Sequence, residues 1–157
     1  MKIIIGNDHA GYALKKALLG YLGERPDLSV SDAGSHSEER ALYPLYALKV
    51  AGAVSSGDAD RGILICATGI GVSIVANRLK NVRATLCTNA YMGIMARAHN
   101  DSNILCLGSR VTDYPEALEI LGAWLDTPYE GGRHDASINL LCRIDNGDAT
   151  GIEDTDI

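Results

Sequence analysis

The stretch that decides the fold runs from residue 62 to residue 77 and reads Gly-Ile-Leu-Ile-Cys-Ala-Thr-Gly-Ile-Gly-Val-Ser-Ile-Val-Ala-Asn. Its first apolar run ends at Cys66, a small loop follows, and apolar residues then return at helical spacing, which predicts a buried strand, a tight turn and a helix. Gly69 and Gly71 permit a sharp turn with outward N–H groups, and a helix amino end attracts anions. The stretch therefore predicts an anion-binding loop beside a thiol at the carboxyl end of a strand, where open α/β sheets bind ligands.

Short strand-like runs alternate with longer helical patterns along most of the chain. Besides the central strand, strand-like runs lie at residues 2–6, 28–32, 82–87 and 103–107. Besides the helix after the central loop, helical patterns lie at residues 14–22, 43–54, 91–98, 114–125 and 138–144. Parallel neighbouring strands need crossover helices. We therefore predict a Rossmann-like, doubly wound α/β/α sandwich with a five-stranded parallel sheet.

The length of 157 residues suits one domain, which we assign to residues 1–145. The last helix could pack against this domain or against a partner subunit. Residues 146–157 are acidic and almost without apolar side chains, so we predict a frayed tail.

Composition excludes several classes of partner. The net charge of −6 argues against binding to nucleic acid or to an anionic membrane, because both need clustered Lys and Arg. No apolar run approaches the roughly 20 residues of a membrane helix, and the chain starts with a short strand rather than a signal peptide. The four cysteines are widely spaced and mostly lie in apolar runs, which predicts reduced thiols and a cytoplasmic protein.

Residues that follow parallel strands should meet at one edge of the sheet. These are Asn7-Asp8-His9 after the first strand, Cys66-Ala67-Thr68 after the third, and Gly108-Ser109-Arg110 after the fifth. His99 and Asn100 follow the fourth helix and should lie at the opposite edge. They would reach the site only across a subunit interface, which favours a homodimer with shared sites.

Spacing excludes several familiar chemistries. Position 72 is Val, where a cysteine phosphatase needs Arg and a P-loop needs Lys, and Ile74 replaces the third glycine of a dinucleotide fingerprint. The His and Cys residues lack the spacing of zinc ligands, so no metal is predicted. What remains is proton transfer on a small anionic molecule, with Cys66 as general base, the loop N–H groups stabilising an enediolate oxygen, and His99 moving protons.

Each candidate residue also has a purely structural explanation. Cys66 could be a buried apolar side chain, and Asp8 with His9 could cap the first helix. His99 could be a helix-end cation, and Arg110 and Arg133 could be surface ion-pair partners. We assign structural roles to Cys87, Cys106, Cys142, His36 and His134. Only the convergence of the other residues on one edge favours a functional interpretation.

Seven segments together resemble the ribose-5-phosphate isomerase B and galactose-6-phosphate isomerase family, over roughly residues 1 to 145. They are residues 6–11, Glu39-Arg40 with Tyr43-Pro44, 63–77, 99–103, 108–111, 123–125 and 129–134. The resemblance implies a cofactor-independent aldose-ketose isomerase of the pentose phosphate pathway, a homodimer or tetramer, that interconverts ribose 5-phosphate and ribulose 5-phosphate.

The resemblance also implies a role for each site residue. Cys66 corresponds to the base, Thr68 with the N–H groups of residues 69–71 to the oxyanion cradle, and His99 of a partner subunit to the group that opens the furanose ring. Asp8 corresponds to a catalytic residue at the sugar end. The substrate-binding residues would be His9, Tyr43, Ala67, Gly69, Ile70, Gly71 and Asn100, and the phosphate would contact His9, Arg110 and Arg133.

Several positions depart from the family pattern. One branch of the family uses a glutamate where this chain has Val72, so the chain resembles the cysteine-base branch. Ala67 replaces a loop glycine, Leu42 and Leu45 replace two polar groups, and Ser137 replaces a second phosphate-binding arginine. These departures leave open allose 6-phosphate, galactose 6-phosphate or a tetrose phosphate as substrate. A non-catalytic phosphosugar-binding module is the alternative from another class.

Overall fold

The computed structural model describes residues 1–148, so the end of the predicted tail, residues 149–157, lies outside the described residues. The strands are β1 (Lys2–Asn7), β2 (Ser29–Asp32), β3 (Arg61–Cys66), β4 (Ala84–Leu86) and β5 (Ile104–Gly108). The helices are α1 (Tyr12–Gly23), α2 (Tyr43–Ser56), α3 (Ile70–Ala76), α4 (Ala90–Ala98), α5 (Tyr114–Asp126) and α6 (Asp135–Asp145). Two 3-10 turns lie at His9–Gly11 and Gly132–His134.

All five strands are parallel and lie in the order β2-β1-β3-β5-β4, which confirms the predicted fold. Alternate strand residues face opposite sides of the sheet. Ile3, Ile5, Ile63 and Ile65 share one core with α1 and α5, whereas Ile4 and Leu64 share the other core with α2 and α3. Both faces of the sheet are therefore covered by helices, which explains why its strands are apolar throughout.

The chain changes direction across the sheet at β1 and β3. From β1 it passes through α1 on one face to β2 at the edge, and from β2 it returns through α2 on the other face to β3. The loops that follow β1 and β3 consequently diverge to opposite faces. Such a switch point leaves a crevice at the carboxyl ends of the strands.

The two ends of the chain's described part pack on the domain in different ways. Met1 and Lys2 lie beside β2, whereas α6 lies beside the amino end of β4, where the Asp145 carboxylate accepts a hydrogen bond from the Asn81 N–H at 2.7 Å.

Within residues 1–148, no helix is long and apolar enough to cross a membrane.

Helices α2 and α5 begin with the same Tyr-Pro pair but with different caps. Asp113 precedes the pair in α5, and its carboxylate accepts a hydrogen bond from the Glu116 N–H at 3.0 Å. Leu42 precedes the pair in α2, has the extended backbone of a helix cap, and supplies no side-chain hydrogen bond. Leu42 is 63% exposed, and the Leu45 N–H, which corresponds to that of Glu116, donates only to the Leu42 carbonyl at 3.2 Å.

Replacing Leu42 with Asp should therefore stabilise the protein. The new carboxylate can accept the Leu45 N–H as Asp113 accepts that of Glu116, a contribution of about 1 kcal/mol, or roughly 2–4 °C in the midpoint of thermal unfolding. Asp113→Ala serves as the matched control and should lower the midpoint by a similar amount. Equal midpoints for Leu42→Asp and the parent would contradict the capping argument.

Candidate active site

Hydrogen bonding between the strands continues past their carboxyl ends and holds three loops together. The Asp8 N–H donates to the Ile65 carbonyl at 3.1 Å, and the Ser109 N–H donates to the Cys66 carbonyl at 2.9 Å. The Arg110 N–H donates to the Ala67 carbonyl, also at 2.9 Å. The backbones that carry Asp8, Cys66 and Arg110 are thus fixed side by side at one edge of the sheet.

The Cys66 sulfur lies at the base of the loop and accepts a hydrogen bond. The Gly69 N–H donates to Sγ at 3.1 Å, and the residue is only 5% exposed. Burial raises the pKa of the Cys87 thiol and raises that of Cys106 well above its usual range, so these two thiols stay protonated. Cys66 therefore differs from its buried neighbours in having a hydrogen-bond donor aimed at its sulfur.

Gly69 in the loop and Gly108 at the end of β5 allow the loop backbone to lie close to the backbone of β5. Gly69 has φ +76°, a conformation that suits glycine, and a Cβ there would lie 3.0 Å from the Leu107 carbonyl carbon. A Cβ on Gly108 would lie 2.7 Å from the Thr68 carbonyl. The loop is therefore pressed against the end of β5, while Thr68 and Ile70 remain exposed above it.

Tyr43 covers the far side of the loop. A Cβ on Gly71 would lie 2.9 Å from the Tyr43 ring, so the aromatic ring rests directly on the glycine backbone. Leu42 and Leu45 lie on either side of Tyr43-Pro44 in the chain and are 63% and 57% exposed. The start of α2 around Tyr43 therefore presents apolar side chains to solvent.

Asp8 and His9 follow β1 and face the same crevice from the other side. The Asp8 carboxylate accepts hydrogen bonds from the Ala10 and Gly11 N–H groups at 2.9 and 3.1 Å, so it does cap the turn that precedes α1. His9 Nδ1 lies 3.3 Å from the Ala41 nitrogen and 3.4 Å from the Ala41 carbonyl oxygen, so it accepts from the N–H or donates to the carbonyl according to the tautomer of the ring. In either case Ala41 holds the ring through Nδ1, and Nε2 makes no hydrogen bond within residues 1–148.

Arg110 supplies an uncommitted positive charge at this edge. Its side chain is exposed and makes neither a hydrogen bond nor an ion pair within residues 1–148. An arginine that is not paired within its own chain can offer its full donor fork to a phosphate.

A second group of candidate residues lies at the opposite edge of the sheet. His99 ends α4 and stacks on His134 with ring centroids 4.1 Å apart, and Glu130 Oε2 lies 3.7 Å from Nε2 of each ring. Arg133 Nε donates to His134 Nε2 at 3.3 Å. The Asn100 carbonyl accepts from Arg83, which directly precedes β4. These residues therefore lie near the amino ends of the strands, away from Cys66.

Sequence spacing did not predict the grouping of Glu130 and His134 with His99. The ring nitrogens and a Glu130 oxygen all lie within 4.8 Å of one another, close enough to suggest metal ligands. The two rings are nearly parallel, at 17°, so their nitrogen lone pairs point side by side rather than at a common point, and Arg133 already occupies His134 Nε2. We assign no metal here. The family resemblance includes residues 129–134, but within that segment it implies a role only for Arg133.

The fold and this edge together define a class of protein, an open α/β protein with a glycine-containing loop and a buried thiol at the switch point of its sheet. A family model described as Ribose/Galactose Isomerase matches residues 3–141. The chain belongs to this family, as the sequence resemblance implied.

Three relatives place the chain within the family. It is 45% identical to ribose-5-phosphate isomerase B of Escherichia coli over 144 residues, which cover 92% of this chain and 96% of that protein. The structure of Clostridium thermocellum ribose-5-phosphate isomerase B superposes with a TM-score of 0.91 at 48% identity, covering 94% of this chain and 99% of that one. A D-erythrulose-4-phosphate isomerase of Pectobacterium atrosepticum is 41% identical over 133 residues, 84% of this chain and 87% of that protein.

Gly69→Ala should lower activity by more than its effect on stability. Any L-residue at this positive φ costs about 1–2 kcal/mol, and the added methyl would also push the loop away from Leu86 and Leu107. We expect kcat/KM to fall at least about tenfold because the N–H donor moves from the Cys66 sulfur.

Gly57→Ala is the matched control for this variant. Gly57 has φ +82° and open space around it, at the end of α2. It should show the loss of stability without the loss of kcat/KM, measured by thermal unfolding and a steady-state assay. An equal loss of kcat/KM in both variants would contradict the proposal that activity depends on the contacts of Gly69 with Cys66 and Leu107.

Proposed function

We propose that this protein is an aldose-ketose isomerase that interconverts ribose 5-phosphate and ribulose 5-phosphate without a cofactor. Its family and its relatives support isomerase chemistry on a sugar phosphate, and they disfavour a non-catalytic binding module. The observation that carries the mechanism is the 3.1 Å contact between the Gly69 N–H and the Cys66 sulfur. That contact places the proposed base, Cys66, next to the N–H groups of the loop that would stabilise the oxyanion.

Catalysis begins with ring opening, because ribose 5-phosphate is mainly a furanose. The bond between C1 and the ring oxygen breaks, that oxygen takes up a proton, and the C1 hydroxyl loses one as the carbonyl forms. The step consumes no net proton. We assign it to His99, whose imidazole can give and take protons near neutral pH.

Proton transfer between C2 and C1 follows in the open-chain sugar. The Cys66 thiolate removes the C2 proton, and the electron pair moves through C1 to the carbonyl oxygen to give an enediolate. The loop N–H groups at residues 69–71 and the Thr68 hydroxyl stabilise this negative oxygen. The proton on O2 then passes to O1, and return of the proton from the Cys66 thiol to C1 forms the carbonyl at C2 and gives the ketose.

The remaining residues hold the substrate. Asp8 and His9 Nε2 contact the sugar end, with Tyr43 closing the loop side and Asn100 contributing an amide. Arg110, Arg133 and His9 bind the phosphate, for which the planar donor fork of arginine is suited.

Two copies of the chain would complete each site. Cys66 and Arg110 lie at the carboxyl edge of the sheet, whereas His99 and Arg133 lie at the amino edge. Strands of five or six residues separate the edges by roughly 15–20 Å, which is longer than a five-carbon sugar phosphate. We therefore assign His99, Asn100 and Arg133 of each site to a partner copy. The proposed setting is the cytoplasm, where the free thiols of Cys66, Cys87, Cys106 and Cys142 stay reduced.

A tetrose phosphate is the second candidate substrate. The apolar side chains of Leu42 and Leu45 offer no hydrogen bonds to sugar hydroxyls, and one relative is named a D-erythrulose-4-phosphate isomerase. A shorter sugar has fewer hydroxyls to satisfy beside these side chains. Allose 6-phosphate and galactose 6-phosphate are disfavoured by the same argument, because they carry more.

The function is tested by a substrate panel with a Cys66→Ala control. Purified protein should convert ribose 5-phosphate with a higher kcat/KM than erythrose 4-phosphate, allose 6-phosphate or galactose 6-phosphate. Cys66→Ala should lower turnover about 10²–10⁴-fold, the usual contribution of a general base, whereas Cys87→Ala should not. Wild-type turnover in Cys66→Ala would contradict the assigned base, and preference for the tetrose would favour the second candidate.

Arg133→Ala should raise KM for ribose 5-phosphate and change kcat less. Loss of a charged hydrogen bond to the phosphate weakens binding of substrate and transition state alike, by about tenfold or more. Arg25→Ala, which removes a half-buried arginine paired with Asp126, is the control and should leave KM unchanged. An unaltered KM in Arg133→Ala would remove Arg133 from the site.

A further inference from the structure

We propose that Asp101, held between Arg83 and Arg97, is a positioning residue that fixes His99 and Asn100 for ring opening. The inference rests on the proposed function, in which His99 opens the furanose ring. It concerns the short turn between α4 and β5.

Asp101 has an unusual backbone and a doubly paired carboxylate. Its φ is +44°, in the left-handed region that few residues other than glycine adopt. Oδ1 accepts from Arg97 Nη1 at 2.8 Å, and Oδ2 accepts from Arg83 Nη2 at 2.7 Å. Each carboxylate oxygen thus has its own arginine, and these two contacts add to the backbone bonds that hold Asp101 in this conformation at the end of α4.

The two arginines also bind the backbone of the turn. Arg83 Nε donates to the Asn100 carbonyl at 3.1 Å and to the Asp101 carbonyl at 2.9 Å. Arg97 is 6% exposed, and its Nη1 donates to the Ser102 carbonyl at 2.5 Å. Arg83 and Arg97 therefore bind the carbonyls of three successive residues, 100 to 102, immediately after His99.

This arrangement acts on His99 through the chain. The His99 N–H donates to the Met95 carbonyl at 3.0 Å, and the turn after it stays joined to α4 through the Asp101 and Ser102 N–H groups, which donate to the Arg97 and Ala96 carbonyls at 3.2 and 2.9 Å. The side chains of Arg83 and Arg97 bind the carbonyls of the same turn, so the backbone bonds and the arginine contacts set its path together. A turn that relaxed would move the His99 ring and the Asn100 amide, and displacements of about 1 Å at a reacting group can cost roughly 10²-fold in rate.

The test uses two substrates that differ in their need for ring opening. Ribose 5-phosphate must be opened, whereas ribulose 5-phosphate is already acyclic because its C5 oxygen carries the phosphate. The ratio of kcat on the aldose to kcat on the ketose, each measured at saturating substrate, therefore reports on ring opening, whereas the ratio of the two kcat/KM values is fixed by the equilibrium constant of the reaction. The kcat ratio does not depend on how much of a variant is folded, because the folded fraction cancels.

The variants are Arg83→Lys and Asp101→Asn, with His99→Asn as the reference for lost ring opening. Lysine keeps the charge of Arg83 but cannot bind two carbonyls and a carboxylate together. Arg25→Lys is the matched control, since Arg25 also pairs with an aspartate at 2.7 Å and has a similar exposure, 25% against 20% for Arg83. Thermal unfolding is measured alongside for all four variants.

We expect the aldose-to-ketose ratio to fall about tenfold in Arg83→Lys and Asp101→Asn, in the same direction as in His99→Asn, and to stay constant in Arg25→Lys. An unchanged ratio in Arg83→Lys and Asp101→Asn, with a reduced ratio in His99→Asn, would overturn the positioning role alone. An unchanged ratio in His99→Asn would overturn the ring-opening assignment, and the positioning role with it.

Discussion

The alignment of β1, β3 and β5 is the constraint on which the site depends. Cys66 pairs with Gly108 in the sheet, and the same ladder carries on into the loops, where Ser109 and Arg110 donate to the carbonyls of Cys66 and Ala67. Slipping one strand by a single residue would turn every side chain to the other face. The apolar cores on both faces of the sheet oppose that slip, so the burial that stabilises the fold also sets the positions of the thiol and the arginine.

Most of the fold could be predicted from local sequence patterns. Short apolar runs that alternate with apolar residues at helical spacing predict five strands and six helices. These patterns are local, because a buried parallel strand and an amphipathic helix each leave a signature within a few residues. The shared edge of Asp8, Cys66 and Arg110 also followed from the sequence, since parallel strands end at one edge. The lateral order of β4 and β5 did not follow from the sequence, because contacts between residues distant in sequence determine which strands are neighbours.

The second group of residues was harder to foresee for the same reason. His99, Glu130 and His134 come from α4 and from the segment before α6, and only their tertiary packing brings them together. The arginines around Asp101 likewise come from two different elements, Arg97 from the last turn of α4 and Arg83 from the segment before β4. Charged residues are usually interpreted as surface groups, so a sequence alone gives no reason to join Arg83 with a turn that follows another helix.

The unequal caps of α2 and α5 have a consequence for motion. Helix ends without a side-chain cap fray more readily, so the free energy needed to open the first turn is lower in α2 than in α5. That first turn carries Tyr43, whose ring lies on Gly71. The start of α2, which has no side-chain cap, thus borders the loop that holds the thiol, and opening of its first turn would release Gly71 from the Tyr43 ring while the sheet that supports the loop stays intact.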